Sequence, residues 1–292
     1  MKCFLSTSVC RNKGIEESIN FCGNLSDKNV ELSAPHPKES LDQIERTLIN
    51  FKKKGYNFFL HNYFPPPKKS FVLNIASHEK KVQKNCNELI LNALSLSEKI
   101  GASVYGIHAG YLSKAIEGKD GTFIFDKNQN YLETLKRSSQ FINSINKYFE
   151  KNKIKLLIEN LFPGVKVNSS LFCTFEQIKE LMDLIPDNVG LLLDLGHLNI
   201  SSNFFKFSKQ SFLDKYISNY KDRLLEIHIS ENNGIKDEHL TLKQDSWQYS
   251  FIREIFNETK SNNKKPVFCL EARNGSVKEI RNNLENINKI IA

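Results

Sequence analysis

No apolar run in these 292 residues approaches the roughly 20 that a membrane span requires. The opening stretch MKCFLSTSVCRNK has no apolar segment of secretion-signal length, so the expected location is the cytoplasm. Cys3, Cys10, Cys22, Cys86, Cys173 and Cys269 include no CxxC pair and no regular spacing. They read as reduced, mostly buried thiols rather than a disulfide framework. No GxGxxG follows the first apolar run, which leaves an open doubly wound sheet as the lesser alternative for the fold. Internal repeats and low-complexity segments are also missing.

What is present is ordinary soluble composition, 40% hydrophobic and 25% charged, enough to bury a sizeable core. The net charge of +8 comes from lysines spread along helical stretches, where solvated faces are the usual explanation. It is compatible with a polyanionic partner, DNA or a phosphorylated sugar, and selects neither.

Short β-branched or apolar runs alternate with amphipathic stretches of helical length. The runs predict strands at Lys2–Thr7, Val30–Ser33, Asn57–His61, Ser103–His108, Lys155–Glu159, Gly190–Asp194, Leu224–Ile229 and Pro266–Glu271. Helices are predicted over Ile15–Cys22, Ser40–Lys54, Glu79–Ile100, Tyr131–Lys151, Thr174–Leu184, Phe207–Ser218, Trp247–Glu258 and Ser276–Ile291. Runs such as VGLLLD are apolar on both faces, as in a buried parallel sheet. Eight βα units without a long linker predict an α/β fold, a (β/α)8 TIM barrel forming a single domain over residues 1–292. The longer loops follow strands three, four, five and seven, at the end where such a barrel carries its catalytic face.

Nine side chains able to bind a metal stand at or just beyond the ends of six predicted strands. They are His61, His108, Glu159, Asp194 with His197, His228 with Asp237 and His239, and Glu271. Taken singly, Glu159 in LLIEN or Glu271 in CLEAR reads as a solvated carboxylate, and His108 in GIHAG as a satisfied core histidine. Taken together at the C-terminal mouth of one barrel, they predict a metal site, since packing gives histidines no reason to collect at strand ends. Imidazole and carboxylate without thiolate suit a catalytic zinc or manganese centre better than a closed structural one. His36 and His78 lack such partners and read as loop and helix-start residues.

With these residues in view, the chain resembles the xylose isomerase-like TIM-barrel superfamily and, within it, the endonuclease IV (AP endonuclease 2) family. The resemblance is clearest from strand three to strand eight. It implies three divalent ions, zinc with manganese as an alternative. His61, His108 and a bridging Glu159 would hold the first; Glu159, Asp194, His228 and Glu271 the second; His197, Asp237 and His239 the third. It also implies phosphoester hydrolysis, with DNA carrying an abasic site as substrate and Glu159 and Glu271 as the catalytic carboxylates. Some segments depart from that family. Leu-Gly lies between Asp194 and His197 where the family has Thr-Cys, and Glu238 stands where it has arginine. NYFPPPKK occupies the loop with which family members enter the DNA stack.

The sugar isomerase and 3-epimerase branch of the superfamily is resembled by a smaller set, and Glu31 in VELSA and the LDLGH segment look like that branch. It implies one manganese, cobalt or magnesium ion held by Glu159, Asp194, His228 and Glu271. The two glutamates would exchange a proton with a small sugar or phosphorylated sugar. Lys68, Lys69 or Arg273 would then meet a phosphate, although each also reads as a solvated surface charge, and Tyr63 and Phe64 would either close over the ligand or anchor their loop on the barrel rim. The complete ligand set makes the phosphoesterase the first expectation and the sugar enzyme the alternative.

Overall fold

The computed structural model describes residues 2–10, 13–33, 39–117, 123–262, 265–273 and 275–292. Its strands are β1 (Phe4–Ser6), β2 (Asn29–Leu32), β3 (Asn57–His61), β4 (Val104–His108), β5 (Ala115–Glu117), β6 (Phe123–Phe125), β7 (Lys155–Glu159), β8 (Gly190–Asp194), β9 (Leu224–Ile229) and β10 (Val267–Leu270). The helices are α1 (Ile15–Leu25), α2 (Leu41–Lys53), α3 (Lys80–Ile100), α4 (Tyr131–Lys151), α5 (Phe175–Met182), α6 (Leu195–Phe205), α7 (Lys209–Tyr220), α8 (Gln248–Thr259) and α9 (Val277–Ile290). Eight strands pair in parallel and close in the order β1-β10-β9-β8-β7-β4-β3-β2. The (β/α)8 barrel expected from the sequence is therefore the fold. All of its strands were legible as apolar runs because both faces are covered, the inner by the barrel lumen and the outer by helices.

The lumen is layered along the strands. Val104, Leu157, Leu192 and Leu225 fill the N-terminal end with Phe59 packed against them. Above them lie Glu31, Glu226 and Cys269, each with no exposed surface. The candidate ligands form the C-terminal layer. Glycine opens space at two points of β4 and its exit. At Gly106 a Cβ would stand 2.8 Å from Leu192 Cδ1 and 3.1 Å from His61 Cδ2. Gly110 sits at φ +109, and its Cβ would meet Ala76 Cβ at 2.8 Å and the Ala76 backbone nitrogen at 3.0 Å. Backbone cannot give way as a side-chain tip can. Gly110→Ala is expected to cost about 1–3 kcal/mol from the strained dihedral and crowding. A urea melt checks this, and an unchanged midpoint would contradict the packing described.

Two elements differ from the sequence reading. The chain passes from β8 into α6 with no loop: Asp194 ends the strand and caps the helix, its Oδ1 accepting the His197 amide at 2.6 Å. Residues 195–202 are all buried, so α6 has no polar face and no amphipathic period to read. The loop after β4 also carries an antiparallel hairpin, β5 with β6. All six cysteines are buried and free. Among the described residues, no helix is long and apolar enough to cross a membrane. His36 lies outside the described residues.

Candidate metal centre

The closed barrel gathers the C-terminal ends of its strands at one mouth, and that mouth holds the site. His108 pairs in register with Glu159 across β4 and β7, and Asp194 with His228 across β8 and β9. Glu159 is the hub. Its Oε2 lies 2.7 Å from His61 Nε2 and 3.2 Å from His108 Nε2, and its Oε1 lies 3.3 Å from His197 Nδ1. His228 Nδ1 faces Glu271 Oε2 at 3.3 Å, and Glu159 Oε1 and Asp194 Oδ2 at 3.9 Å each. Asp237 stands between two imidazoles, 2.7 Å from His239 Nε2 and 3.9 Å from His197 Nε2. His239 Nδ1 comes within 3.6 Å of Glu271 Oε2, closing the ring. All nine side chains named from the sequence are thus joined by contacts of 3.9 Å or less.

Neighbours outside the set hold the rings. The Asn160 carbonyl accepts from His197 Nδ1 at 2.8 Å, which turns Nε2 toward Asp237. The Glu271 carbonyl accepts from His239 Nδ1 at 3.2 Å, which turns that Nε2 toward the same aspartate. Asn62 and the Tyr111 hydroxyl lie 3.2 Å from the His108 ring nitrogens. The loop carrying Asp237 and His239 is tied to α6 by Asn199 on Asn232 Oδ1 at 2.9 Å and Asn232 on the Gly196 carbonyl at 2.8 Å. The helix that the sequence reading missed therefore positions two of the nine.

Several other assignments resolve differently. Phe64 is fully buried and the Tyr63 hydroxyl accepts the Leu73 amide at 2.7 Å, which fits the loop-anchor reading of both. Lys68 and Lys69 are exposed, while Arg273 is half-buried beside His239, whose carbonyl accepts its amide at 2.8 Å. His78, at the start of α3 as expected, takes a hydrogen bond from Gln129 at 2.7 Å. Glu226 was not singled out, although it shares with His228 one face of LLEIHI, and a carboxylate in mid-strand was the available signal.

Electrostatics follow from crowding five imidazoles and six carboxylates out of water. Burial pushes the Glu159 carboxyl up, but the charges and hydrogen bonds of His61 and His108 outweigh it and hold it well below the usual carboxylate range. Burial likewise opposes the net fall at Glu271 and Asp237, which His228 and His239 respectively drive well below that range. Asp194 is raised, by burial above all. Burial pulls His197 down, yet Asp194, Asp237 and Glu159 push it up to about 10. His228 is likewise carried well above its ordinary value against burial by Glu31 and Glu271.

The residues fit a divalent cation on their own geometry. Asp194 Oδ2, Asp237 Oδ1 and His228 Nδ1 are buried without a hydrogen-bond partner. Among the described residues four sets offer ligand atoms within 4.8 Å of one another: His61, His108 and Glu159; Glu159, Asp194 and His197; His61, His228 and Glu271; and, one layer deeper, Glu31, His228 and Cys269. Oxygen and imidazole donors of this kind suit zinc or manganese.

A pH dependence follows. A group raised in the folded state stabilises it fully below its unfolded value, about 6.5 for histidine, and the contribution is lost as pH rises through its folded value. For His197 that loss runs from about pH 6.5 and is complete at about pH 10. The cation-free protein is expected to melt progressively lower between about pH 7 and 10, and zinc, which replaces protons on its ligands, to suppress the loss. Equal melting profiles with and without zinc across this range would contradict it.

A closed parallel barrel with nitrogen and oxygen donors converging at its C-terminal mouth defines the architecture of a barrel enzyme. The chain belongs to the xylose isomerase-like TIM barrels, a family of enzymes, whose model matches residues 24–290. An uncharacterised protein of Methanocaldococcus jannaschii is 24% identical over 224 residues, covering 75% of this chain and 74% of that protein. A D-tagatose 3-epimerase-like protein of known structure is 22% identical with a TM-score of 0.74, covering 100% of this chain and 98% of its own. The D-psicose 3-epimerase of Clostridium cellulolyticum H10, solved with D-tagatose, is 15% identical with a TM-score of 0.67, covering 100% and 96%.

Proposed function

We propose that this chain, as one barrel domain, is a cation-dependent epimerase or isomerase of a small sugar or sugar phosphate, with Glu159 and Glu271 as its proton-exchanging pair. The observation that carries this reading is their placement. Glu159 from the end of β7 and Glu271 from just past β10 approach the same His228 Nδ1, at 3.9 and 3.3 Å. Glu159, Asp194, His228 and Glu271 would hold the ion. A divalent ion there would polarise a sugar carbonyl and acidify the adjoining C–H bond.

The chain's own groups do the rest. One glutamate takes the proton from the carbon beside the carbonyl; the other, protonated, returns one to the opposite face, so the carbon inverts with no net change of atoms. Charge from His61, His108 and His228 holds both carboxyls below the usual carboxylate range in the cation- and substrate-free chain, which suits the member of the pair that takes the proton. Glu159 and Glu271 are 1% and 2% exposed, which suits a small ligand that enters whole. Neighbours of the same fold include a D-tagatose 3-epimerase-like protein and a D-psicose 3-epimerase, which favours a sugar over DNA.

A second reading, phosphoester hydrolysis at a multinuclear centre, draws on one observation. Asp237 with His197 and His239 supplies a further donor group that a single-ion epimerase does not need. Manganese-loaded protein incubated in D2O with a panel of ketoses and their phosphates tests the choice. Deuterium entering one sugar carbon is the expected result. No exchange on any sugar, together with cleavage of an abasic-site duplex, would replace this reading with the second.

A further inference from the structure

Beneath the ligand layer, His228 is gripped from its far side. Its Nε2 lies 2.6 Å from Glu31 Oε2, a length typical of a charge-assisted bond, and both side chains are fully buried. Glu226, two residues earlier on the same strand, is 3.7 Å from that nitrogen, beyond hydrogen-bond distance, and both of its oxygens lack partners. Glu31 is therefore the single acceptor in reach of Nε2 among the described residues. The other ring nitrogen, Nδ1, has no hydrogen-bond partner and faces Glu159, Asp194 and Glu271.

An imidazole has two nitrogens, and the hydrogen bond at one decides which form the other takes. A proton held on Nε2 by Glu31 leaves Nδ1 as the nitrogen whose lone pair is presented to the donor cluster. We propose that Glu31 is a positioning residue: from the β2 strand it fixes His228 as the Nε2–H tautomer and aims Nδ1 at the cation position. The inference rests on the cation-holding part of the proposed function and not on the reaction that follows. It also gives the buried Glu31 a role. A carboxylate inside a barrel is costly unless paired, and this one is paired with His228.

Partners of this kind are worth about 10–100-fold in metal affinity. Two glutamate replacements separate orientation from bulk. Glu31→Gln keeps an oxygen that accepts from Nε2 and loses the charge; Glu31→Met keeps the volume and loses the acceptor. Zinc affinity, measured by chelator competition, is expected to fall about tenfold for the first and about a hundredfold for the second. Nitrogen-15 histidine NMR of the zinc-loaded wild type supplies a readout that a packing role would not move. His228 is expected to carry its proton on Nε2, strongly deshielded by Glu31, with zinc on Nδ1. Wild-type zinc affinity in Glu31→Met would overturn the proposal while leaving the proposed function standing, and a proton on Nδ1 would overturn it and also remove His228 from the ion's donors. If the variants do not fold, the wild-type spectrum decides alone. Failure of the wild type to bind zinc or manganese at all would instead sink the cation-holding reading on which the proposal stands.

Discussion

Glutamine in place of Glu271 is expected to lower hydrogen exchange between solvent and sugar by about 10²–10⁴-fold, the usual worth of a positioned acid or base. The replacement is close to silent structurally. Glu271 Oε1 accepts from Ser6 at 3.2 Å, and a glutamine oxygen can do the same at unchanged volume. What is lost is a carboxylate that His228, overcoming burial, holds ionised. Glu159→Gln is expected to lose as much exchange and more cation affinity, because Glu159 meets His61, His108 and His197 at once. Exchange rates with a sugar substrate at saturating manganese read the first loss, and the manganese concentration that gives half of that rate reads the second. An exchange rate in Glu271→Gln above a tenth of wild type would remove that residue from the proton-exchanging pair.

Asp194 is expected to show two separable losses. One oxygen caps α6 through the His197 amide at 2.6 Å, and the other is buried without a hydrogen-bond partner toward His228. Asp194→Asn keeps a cap acceptor and removes the charge. It should fold near wild-type stability yet bind zinc at least about 100-fold more weakly, losing a negative donor at a site of clustered charge. Asp194→Ala should lose the binding and also about 0.5–2 kcal/mol of stability with the cap. Because α6 holds the loop of Asp237 and His239 through Asn199 and Asn232, the alanine variant should loosen that loop to hydrogen exchange as well. Equal zinc affinity in Asp194→Asn and wild type would show that the unpartnered oxygen is not a ligand.

The barrel strands were legible because each is a short, doubly buried apolar run, and the structure moves their ends by only a residue or two. The ligand set was legible for a related reason: a closed parallel barrel brings the C-terminal ends of its strands to one mouth, so His61, His108, Glu159 and Asp194 could be placed together from position alone. What escaped lacks a period. In α6 the continuous burial of residues 195–202 hides the helical repeat, and Asp194 serves as strand end and cap at once. The hairpin β5–β6 sits within a polar loop after β4. Glu31 was noted as a likeness to the sugar-enzyme branch, but its bond to His228, 197 residues away, is a product of barrel closure. The choice of chemistry also moved. A full ligand set made phosphoester hydrolysis the first expectation, whereas the reading proposed above is sugar epimerisation.

The account depends most on a cation held between Glu159, Asp194, His228 and Glu271. An anomalous difference map from crystals of manganese-loaded protein tests this directly. A strong peak in contact with all four side chains, with Nδ1 as the His228 donor, is the predicted result. No peak at the barrel mouth in protein shown to be folded, or manganese bound only on the outer surface, would contradict the central claim.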